Sequence, residues 1–293
     1  MTMDQAARLR SLVSERNEAV LELPVNMRII AVTSGKGGVG KTNFALNLSI
    51  FLARSGKRVV VIDADFGLAN VELLLGVSPR YSFKHVLAGE VTVAEALTLG
   101  PDGVKFLSGG SGIMELADVT DSQMSVLLSG FSQLEEHADI LVIDTGAGIS
   151  NTVTNFLKAA HETVVVTTSD PTAITDAYAV MKVISEDNPE PPEIKIVINR
   201  VENHREGQEV FDRLHRVCNR FLNMKPINLG SIPYDKHLVR AVKSQEPVAL
   251  MYPNSESSRS IEQISKRLLN EPEKPVTGVR QFMDRWVGVM RRG

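Results

Sequence analysis

The sequence contains only one cysteine and one tryptophan, and it has no long apolar run. Because a disulfide needs two cysteines and an iron–sulfur cluster several, Cys218 alone excludes both within one chain. It is expected to pack within a helix in a reducing cytoplasm. No apolar stretch approaches the roughly 20 residues that cross a bilayer, and the amino terminus lacks the apolar core of a secretory signal.

The sequence also has little excess of charge of either sign, because the net charge of the 293 residues is −3. With 43% hydrophobic and 23% charged residues, the composition is that of a globular chain with one large domain or two small ones. Such a balance gives no electrostatic reason for the whole protein to coat nucleic acid or an anionic membrane. Direct DNA binding is therefore not expected, and any contact with an anionic surface should be local.

The strongest motif is a glycine-rich segment between a predicted strand, 27–33, and a predicted helix, 42–54. It reads Gly35-Lys36-Gly37-Gly38-Val39-Gly40-Lys41-Thr42 and is followed by Asn43. Two glycines that bracket four residues before Lys-Thr form the phosphate-binding loop pattern, in which backbone N–H groups surround phosphate oxygens. Lys41 would reach the β- and γ-phosphates, and Thr42 would hold Mg²⁺. The competing interpretation is a glycine-rich turn that fits the pattern by chance.

Carboxylates follow two further predicted strands. Strand 58–62 ends at Asp63-Ala64-Asp65, and the apolar strand 139–143 ends at Asp144 before a glycine-containing segment, 145–148. The carboxyl ends of parallel strands form the ligand-binding edge of a sheet, so one carboxylate can hold a water on Mg²⁺ and another can orient the attacking water. Asp65 could instead cap a helix.

Strands and helices alternate along the rest of the chain. Further strands are predicted over 104–107, 163–168, 194–198 and 227–232, and helices over 123–137, 172–185 and 256–270. This alternation predicts an α/β fold, a doubly wound and mostly parallel sheet covered on both faces.

Lys36 is a second lysine inside the loop, and the variant resembles the deviant Walker A loop of the MinD/ParA class of ATPases. The resemblance implies a P-loop ATPase that uses ATP and Mg²⁺ as a slow switch and closes into a homodimer. Lys36 would cross to the partner's phosphates, Asp63 and Asp144 would lie near the metal, and Asp65 would position water. The alternative for Lys36 is a solvated loop charge.

Two later segments resemble the adenine-framing positions of the same class. Asn199-Arg200 follows one predicted strand, and Pro233-Tyr234-Asp235 follows another. An asparagine side chain can both donate to and accept from a purine edge. Without the resemblance, Asn199 would be an ordinary turn residue and Pro233 a strand terminator.

Beyond an ATPase domain over 27–271, residues 1–26 begin with a short amphipathic helix. Its segment Asp4-Gln5-Ala6-Ala7-Arg8-Leu9-Arg10 resembles, at Asp4, Gln5, Ala6, Leu9 and Arg10, the motif by which the FlhG (FleN, YlxH) family stimulates the GTPase FlhF. The alternative is a frayed extension with an accidental pattern.

Residues 272–293 form a proline-containing linker and an amphipathic helix. One face carries Val279, Phe282, Met283, Trp286, Val287 and Met290, and four arginines stand against the single acid of 279–293, Asp284. The pattern indicates an interfacial membrane helix. The alternative is a terminal helix folded onto the domain.

The FlhG resemblance implies a cytoplasmic regulator of the number and placement of flagella, peripheral on the inner face of the membrane in its ATP state. Implied partners are FlhF, flagellar switch-complex proteins, a flagellar transcription activator and anionic lipid. The main rival is a ParA-like DNA-partitioning ATPase, which would need a basic DNA-binding patch. Iron–sulfur enzymes of this fold need more cysteines, and its tyrosine kinases need a tyrosine-rich tail.

Overall fold

The computed structural model describes residues 27–65, 70–110, 130–131, 133–186, 191–270, 281–283, 285–286 and 289. Its strands are β1 (Arg28–Ser34), β2 (Val59–Ala64), β3 (Thr98–Leu99), β4 (Lys105–Leu107), β5 (Ile140–Ala147), β6 (Glu162–Thr168), β7 (Glu193–Val201) and β8 (Ile227–Pro233). Its helices are α1 (Lys41–Arg54), α2 (Asn70–Leu75), α3 (Phe83–Leu87), α4 (Val93–Ala96), α5 (Asn151–Ala159), α6 (Pro171–Ser185), α7 (His204–Leu222), α8 (Lys236–Lys243), α9 (Val248–Met251) and α10 (Glu256–Asn270). A 3₁₀ turn, Pro101–Gly103, precedes β4.

The strands form one sheet in the order β3-β4-β2-β5-β1-β6-β7-β8. All neighbours pair in parallel except β3 and β4, which are antiparallel. Side chains on the two faces of the sheet enter two separate apolar cores, so the central strands are apolar on both sides. The predicted doubly wound, mostly parallel α/β fold is confirmed. Because β1 lies between β5 and β6, the chain reverses its winding there, which is where ligands bind in such sheets.

Part of the carboxyl-terminal amphipathic helix packs against the domain. Phe282, Met283 and Trp286 are helical and buried, while Val287 and Met290 lie outside the described residues. Trp286 stacks on Phe156 of α5, with 5.1 Å between ring centroids. Phe282 stacks on Phe131 at 6.5 Å. This is the folded-back arrangement that the sequence left open beside the membrane helix.

Two predicted segments fall partly or wholly outside the described residues. The amino-terminal segment 1–26, with its candidate partner-binding motif, is one of them. Of the predicted helix 123–137, residues 130–131 and 133–134 are helical and 135–137 form a turn. None of the helices in the described ranges is long and apolar enough to cross a membrane.

Candidate nucleotide-binding site

The glycine-rich loop joins the end of β1 to the start of α1. Gly40 is the N-cap of α1 with φ of +96°, a left-handed conformation that glycine adopts without strain. A Cβ on Gly35 would lie 2.2 Å from the backbone carbon of Asp176, so only glycine lets the loop pack this closely on α6. The sequence therefore places two of its glycines where the backbone demands them.

Lys41 and Asp144 form a buried ion pair at the centre of the site. The Lys41 Nζ donates to Asp144 Oδ1 at 2.6 Å, and Lys41 is 7% exposed. Burial raises the pKa of the Asp144 carboxyl, and the Lys41 ammonium opposes that shift. The second oxygen of Asp144 is buried without a hydrogen-bond partner among the described residues. The Thr42 hydroxyl also lowers the pKa of the Asp144 carboxyl, so the two side chains are close, and the unpartnered oxygen fits a site that holds the water shell of Mg²⁺.

Asp63 has a role that the sequence did not predict. Its carboxylate accepts the backbone N–H groups of Asp65 at 3.2 Å, Asn70 at 3.0 Å and Val71 at 3.2 Å. It thus binds the first two amides of α2, the capping role that the sequence considered for Asp65. Burial, and then the charge of Asp144, raise the pKa of Asp63 to about 7. Asp63 anchors the segment after β2 beside the candidate metal position.

Asp65 faces the end of β5. Its Oδ2 accepts from the Asn70 side chain at 3.3 Å. The MinD/ParA resemblance makes the segment that begins at Asp65 a first candidate switch and the segment 145–148 a second. A Cβ on Gly146 would lie 3.8 Å from Asp65 Oδ1, so Asp65 faces the second candidate switch. This second switch is tied to β1, because the Gly148 N–H donates to the Ser34 carbonyl at 2.8 Å. Residues 66–69 of the first candidate switch lie outside the described residues.

The phosphate loop and Asp65 border a cavity of about 720 Å³, whereas Asp63 and Asp144 are not among the residues that line it. Its predicted lining residues are Gly37, Gly38, Gly40, Lys41, Thr42, Asn43, Asp65 and Arg200. It is also lined by Ser34, Asn70, Leu73, Leu74, Ala147, Val242 and Gln245, which the sequence analysis did not select. Asn70 and Leu73 come shortly after Asp65 in the sequence and could have been found from it. Val242 and Gln245 come from α8 and the turn after it, where no motif pointed to a ligand.

The other residues expected around the adenine lie beside the cavity rather than on its wall. Asn199 is 3% exposed and donates to the Val39 carbonyl of the loop at 2.7 Å. Asp235 caps α8 through the His237 N–H at 2.8 Å and accepts from the Ser257 hydroxyl at 2.8 Å. Burial alone would raise the pKa of Asp235, but its hydrogen bonds outweigh burial and lower it to about 2. Pro233 ends β8, and Tyr234 is 58% exposed.

Lys36 does not line the cavity of its own chain. Its Nζ donates to the Thr172 hydroxyl at 2.7 Å and lies 3.4 Å from Asp170 Oδ2. Asp170 in turn caps α6 by accepting from the Thr172 N–H at 2.9 Å. The Lys36 ammonium is held at the surface, beside α6 and away from the nucleotide cavity.

The comparisons with known proteins agree with this geometry. Residues 30–248 match the model of the CobQ/CobB/MinD/ParA nucleotide binding domain. The MinD cell division ATPase of Pyrococcus furiosus superposes with a TM-score of 0.68 at 26% identity, covering 84% of this chain and 99% of that chain. Fold and site therefore define a nucleotide-binding ATPase of the MinD type.

Two curated relatives narrow the class. The antiactivator FleN of Pseudomonas aeruginosa is 37% identical over 246 residues, 84% of this chain and 88% of that protein. The flagellum site-determining protein YlxH of Helicobacter pylori is 34% identical over 289 residues, 96% of this chain and 97% of that protein. The chain belongs to the MinD/ParA family of ATPases and, within it, to the FlhG group that contains FleN and YlxH.

Proposed function

We propose that this protein controls the number and placement of flagella as an ATP-driven switch that attaches to the membrane. The observation that carries the proposal is the stack of Trp286 on Phe156. Phe156 belongs to α5, and α5 begins directly after the segment 145–148 at the nucleotide cavity. A change in that segment on ATP binding therefore has a short path to the membrane helix. The names of FleN and YlxH supply the flagellar context.

ATP and Mg²⁺ are the ligands that the site would take. Lys41 would bind the phosphates, and Thr42 and Asp144 would hold the metal, whose charge stabilises the transferring phosphoryl group. When phosphates bind, Lys41 can exchange its bond to Asp144 for one to phosphate, which frees the carboxylate for metal-bound water. Asp65 would orient the attacking water from the opposite wall.

A second copy of the chain would complete the site. Lys36 points away from its own cavity, so its charge is available to another molecule's phosphates once it leaves Thr172. Leu73 and Ile149 are 57% and 51% exposed. They follow the two candidate switches, and exposed apolar side chains at such positions suit a surface that a partner buries.

Membrane attachment requires the terminal helix to leave its docked position against Phe131 and Phe156. Burial of Phe282, Met283 and Trp286 stabilises the docked state by about 1.5–3 kcal/mol per side chain. The Trp286 N–H, however, is buried without a hydrogen-bond partner among the described residues, which costs about 1–3 kcal/mol. Docking is thus opposed by one unmet hydrogen bond that a lipid interface can satisfy, because indole N–H groups bind water and headgroups there.

The domain boundaries and the remaining partners belong to the same proposal. Residues 1–26 would stimulate FlhF through Asp4, Gln5, Ala6, Leu9 and Arg10, residues 27–271 would bind ATP, and residues 272–293 would bind anionic lipid. The similarity to YlxH extends beyond residues 27–271, because it covers 96% of the chain. Flagellar switch-complex proteins and a flagellar transcription activator would be downstream partners.

Light scattering with ATP and Mg²⁺ tests the dimer. We expect a dimer for the unaltered protein, a longer-lived dimer for Asp65→Ala, and a monomer for Lys36→Ala. Lys225→Ala, which alters an exposed lysine between α7 and β8, is the matched control and should dimerise normally. Dimerisation of Lys36→Ala at the same ATP concentration would contradict the role of Lys36.

Flotation with anionic vesicles and a GTPase assay test the two ends. Removal of 276–293 should abolish ATP-dependent flotation and leave dimerisation intact. Removal of 1–26 should abolish stimulation of FlhF and leave flotation intact. The segment 276–293 is here called the tail. Equal flotation of the protein without its tail would refute the proposal that the terminal helix binds the membrane.

A further inference from the structure

The free edge of the sheet carries a second, polar cavity of about 200 Å³. β8 is the last strand of the sheet, and among the described residues it pairs only with β7. The cavity, here called the edge cavity, lies between α7 and α10, with Asn228, Gly230 and Ser231 of β8 along it. None of its lining residues lines the nucleotide cavity, so both can be filled at once.

The edge cavity contains one buried polar atom without a partner in the described part of the chain and one nearly buried hydroxyl group. The hydroxyl belongs to Ser260 of α10, which is 6% exposed. The Asn228 side chain donates to Gln208 at 3.0 Å, but its own Oδ1 is buried without a partner. Unmet buried polar groups are uncommon in folded proteins. One of these groups can donate and both can accept, so a ligand should offer donors as well as acceptors.

Arg267 supplies the charge of the edge cavity. Its Nη1 donates to the Leu229 carbonyl at 2.9 Å, which holds the guanidinium along the strand edge. A Cβ on Gly230 would lie 3.0 Å from that Nη1, so glycine leaves room for it. No aspartate or glutamate lines the cavity, and Arg267 forms no ion pair among the described residues. A carboxylate is the natural counter-ion for an arginine held in this way.

We propose that the edge cavity binds an extended acidic peptide segment of a partner protein. The segment would run along the unpaired edge of β8 and place one carboxylate against Arg267. Its backbone N–H groups would meet the Asn228 oxygen, and a backbone carbonyl would accept from Ser260. Strand edges bind extended peptides in this way, with main-chain bonds for affinity and pockets for specificity. The site serves a partner other than ATP, lipid or a second copy, and does not depend on the proposed function.

Fluorescence anisotropy with a labelled, blocked pentapeptide of alternating threonine and glutamate tests the site on the full-length protein. We expect binding that is about tenfold weaker for the matching glutamine peptide and for Arg267→Ala, since each change removes the charged hydrogen bond between the guanidinium and the peptide carboxylate. Ser260→Leu, which fills the cavity without touching the charge, should weaken binding by a similar factor. Arg259→Ala, an exposed arginine of the same helix outside the cavity, should bind within about twofold.

Four results would overturn the proposal. Three are no binding up to the solubility limit of the peptide, equal binding of the glutamine peptide, and equal binding by Ser260→Leu with an unchanged circular dichroism spectrum. The fourth is competition by free glutamate at the peptide's own concentration, which would show a small-anion site instead. Because Arg267 also holds the Leu229 carbonyl, Ser260→Leu keeps the test valid if Arg267→Ala unfolds.

Discussion

Lys36 has two alternative sets of partners at the residue scale. Within its own chain it binds the Thr172 hydroxyl at 2.7 Å and lies near Asp170. In the proposed dimer it binds phosphate. Lys36 is about as exposed as Asp170, with side-chain exposures of 44% and 49%, so the resting contact is weak. It competes with dimerisation but cannot prevent it.

Thr172→Val removes the closest resting acceptor of Lys36. Because exposed contacts of this kind contribute about 0.2–1 kcal/mol, the ATP concentration for half-maximal dimerisation should fall by about two- to fivefold. Light scattering across an ATP titration measures it. Thr175→Val is the matched control, since its hydroxyl bonds to the Pro171 carbonyl on the same helix. An unchanged or higher midpoint for Thr172→Val would argue against competition.

Asp144→Asn leaves Lys41 buried without its counter-charge. Breaking a buried pair costs about 3–5 kcal/mol, so the free energy of unfolding without nucleotide should fall by about that amount. Added ATP should restore part of the loss, because phosphate replaces the missing charge. Urea unfolding with and without ATP measures both effects.

The control for that experiment is Asp139→Asn at the other end of the same strand. Asp139 pairs with Arg58 at 2.7 Å, but the side chains are 36% and 54% exposed. Its loss should cost about 1 kcal/mol at most. Equal losses for the two variants would contradict the account of the buried pair.

At the scale of elements, the sequence identified the strands that carry the site. β1, β2 and β5 are apolar runs that end in the phosphate loop or an aspartate, and few other structures produce that pattern. The helix α7 was missed, although Val210, Leu214 and Cys218 recur on its buried side. These few apolar positions stand among many charged residues, so the helical periodicity of the apolar residues was hard to detect in the sequence. The expectation that Cys218 packs within a helix is confirmed.

The partners of an amphipathic face could not be predicted from the sequence. The tail reads as an apolar stripe whether lipid or protein covers it. Its contacts, Phe131 and Phe156, belong to segments far away in the chain and carry no mark of that role. The cap formed by Asp63 was hidden for a similar reason, because the residue type suits both a metal and a helix end.

Phe156→Leu should loosen the tail by removing the ring on which Trp286 stacks. We expect vesicle binding without ATP to rise by several-fold, since an aromatic pair contributes about 0.5–1.5 kcal/mol beyond its burial. Flotation measures it. Phe106→Leu, on the opposite face of the sheet, is the control for general destabilisation. If both variants float alike, Phe156 has no specific link to the tail.

At the scale of the whole molecule, β1, the start of β6 and the tail meet around His161. The His161 Nδ1 accepts the Ile29 N–H at 3.1 Å. Burial, and then the positive charge of Arg285 on the tail, lower the pKa of His161 to about 4, with Glu162 opposing and Arg28 adding to the shift. The pKa of His161 is therefore lower with the tail docked than it would be without Arg285 nearby.

This arrangement predicts a pH dependence of stability. The unfolded chain binds a proton near pH 6.5 and the folded chain only near pH 4, so unfolding gains protons between these values. The contribution of His161 to stability is complete above pH 6.5 and falls by about 3 kcal/mol toward pH 4. His161→Asn should remove that part of the loss, and His137→Asn, at an exposed histidine, should not. Parallel pH profiles for the protein and His161→Asn would contradict the prediction.

The central claim is that ATP moves the tail from the domain to the membrane. Trp286 is the only tryptophan of the chain, so its fluorescence reports the tail alone. The most direct measurement is quenching of that fluorescence by anionic vesicles with brominated acyl chains. The account predicts strong quenching with ATP and Mg²⁺, and little with ADP or in Lys36→Ala. Vesicle binding with ATP but without quenching, or equal quenching with ADP, would contradict it.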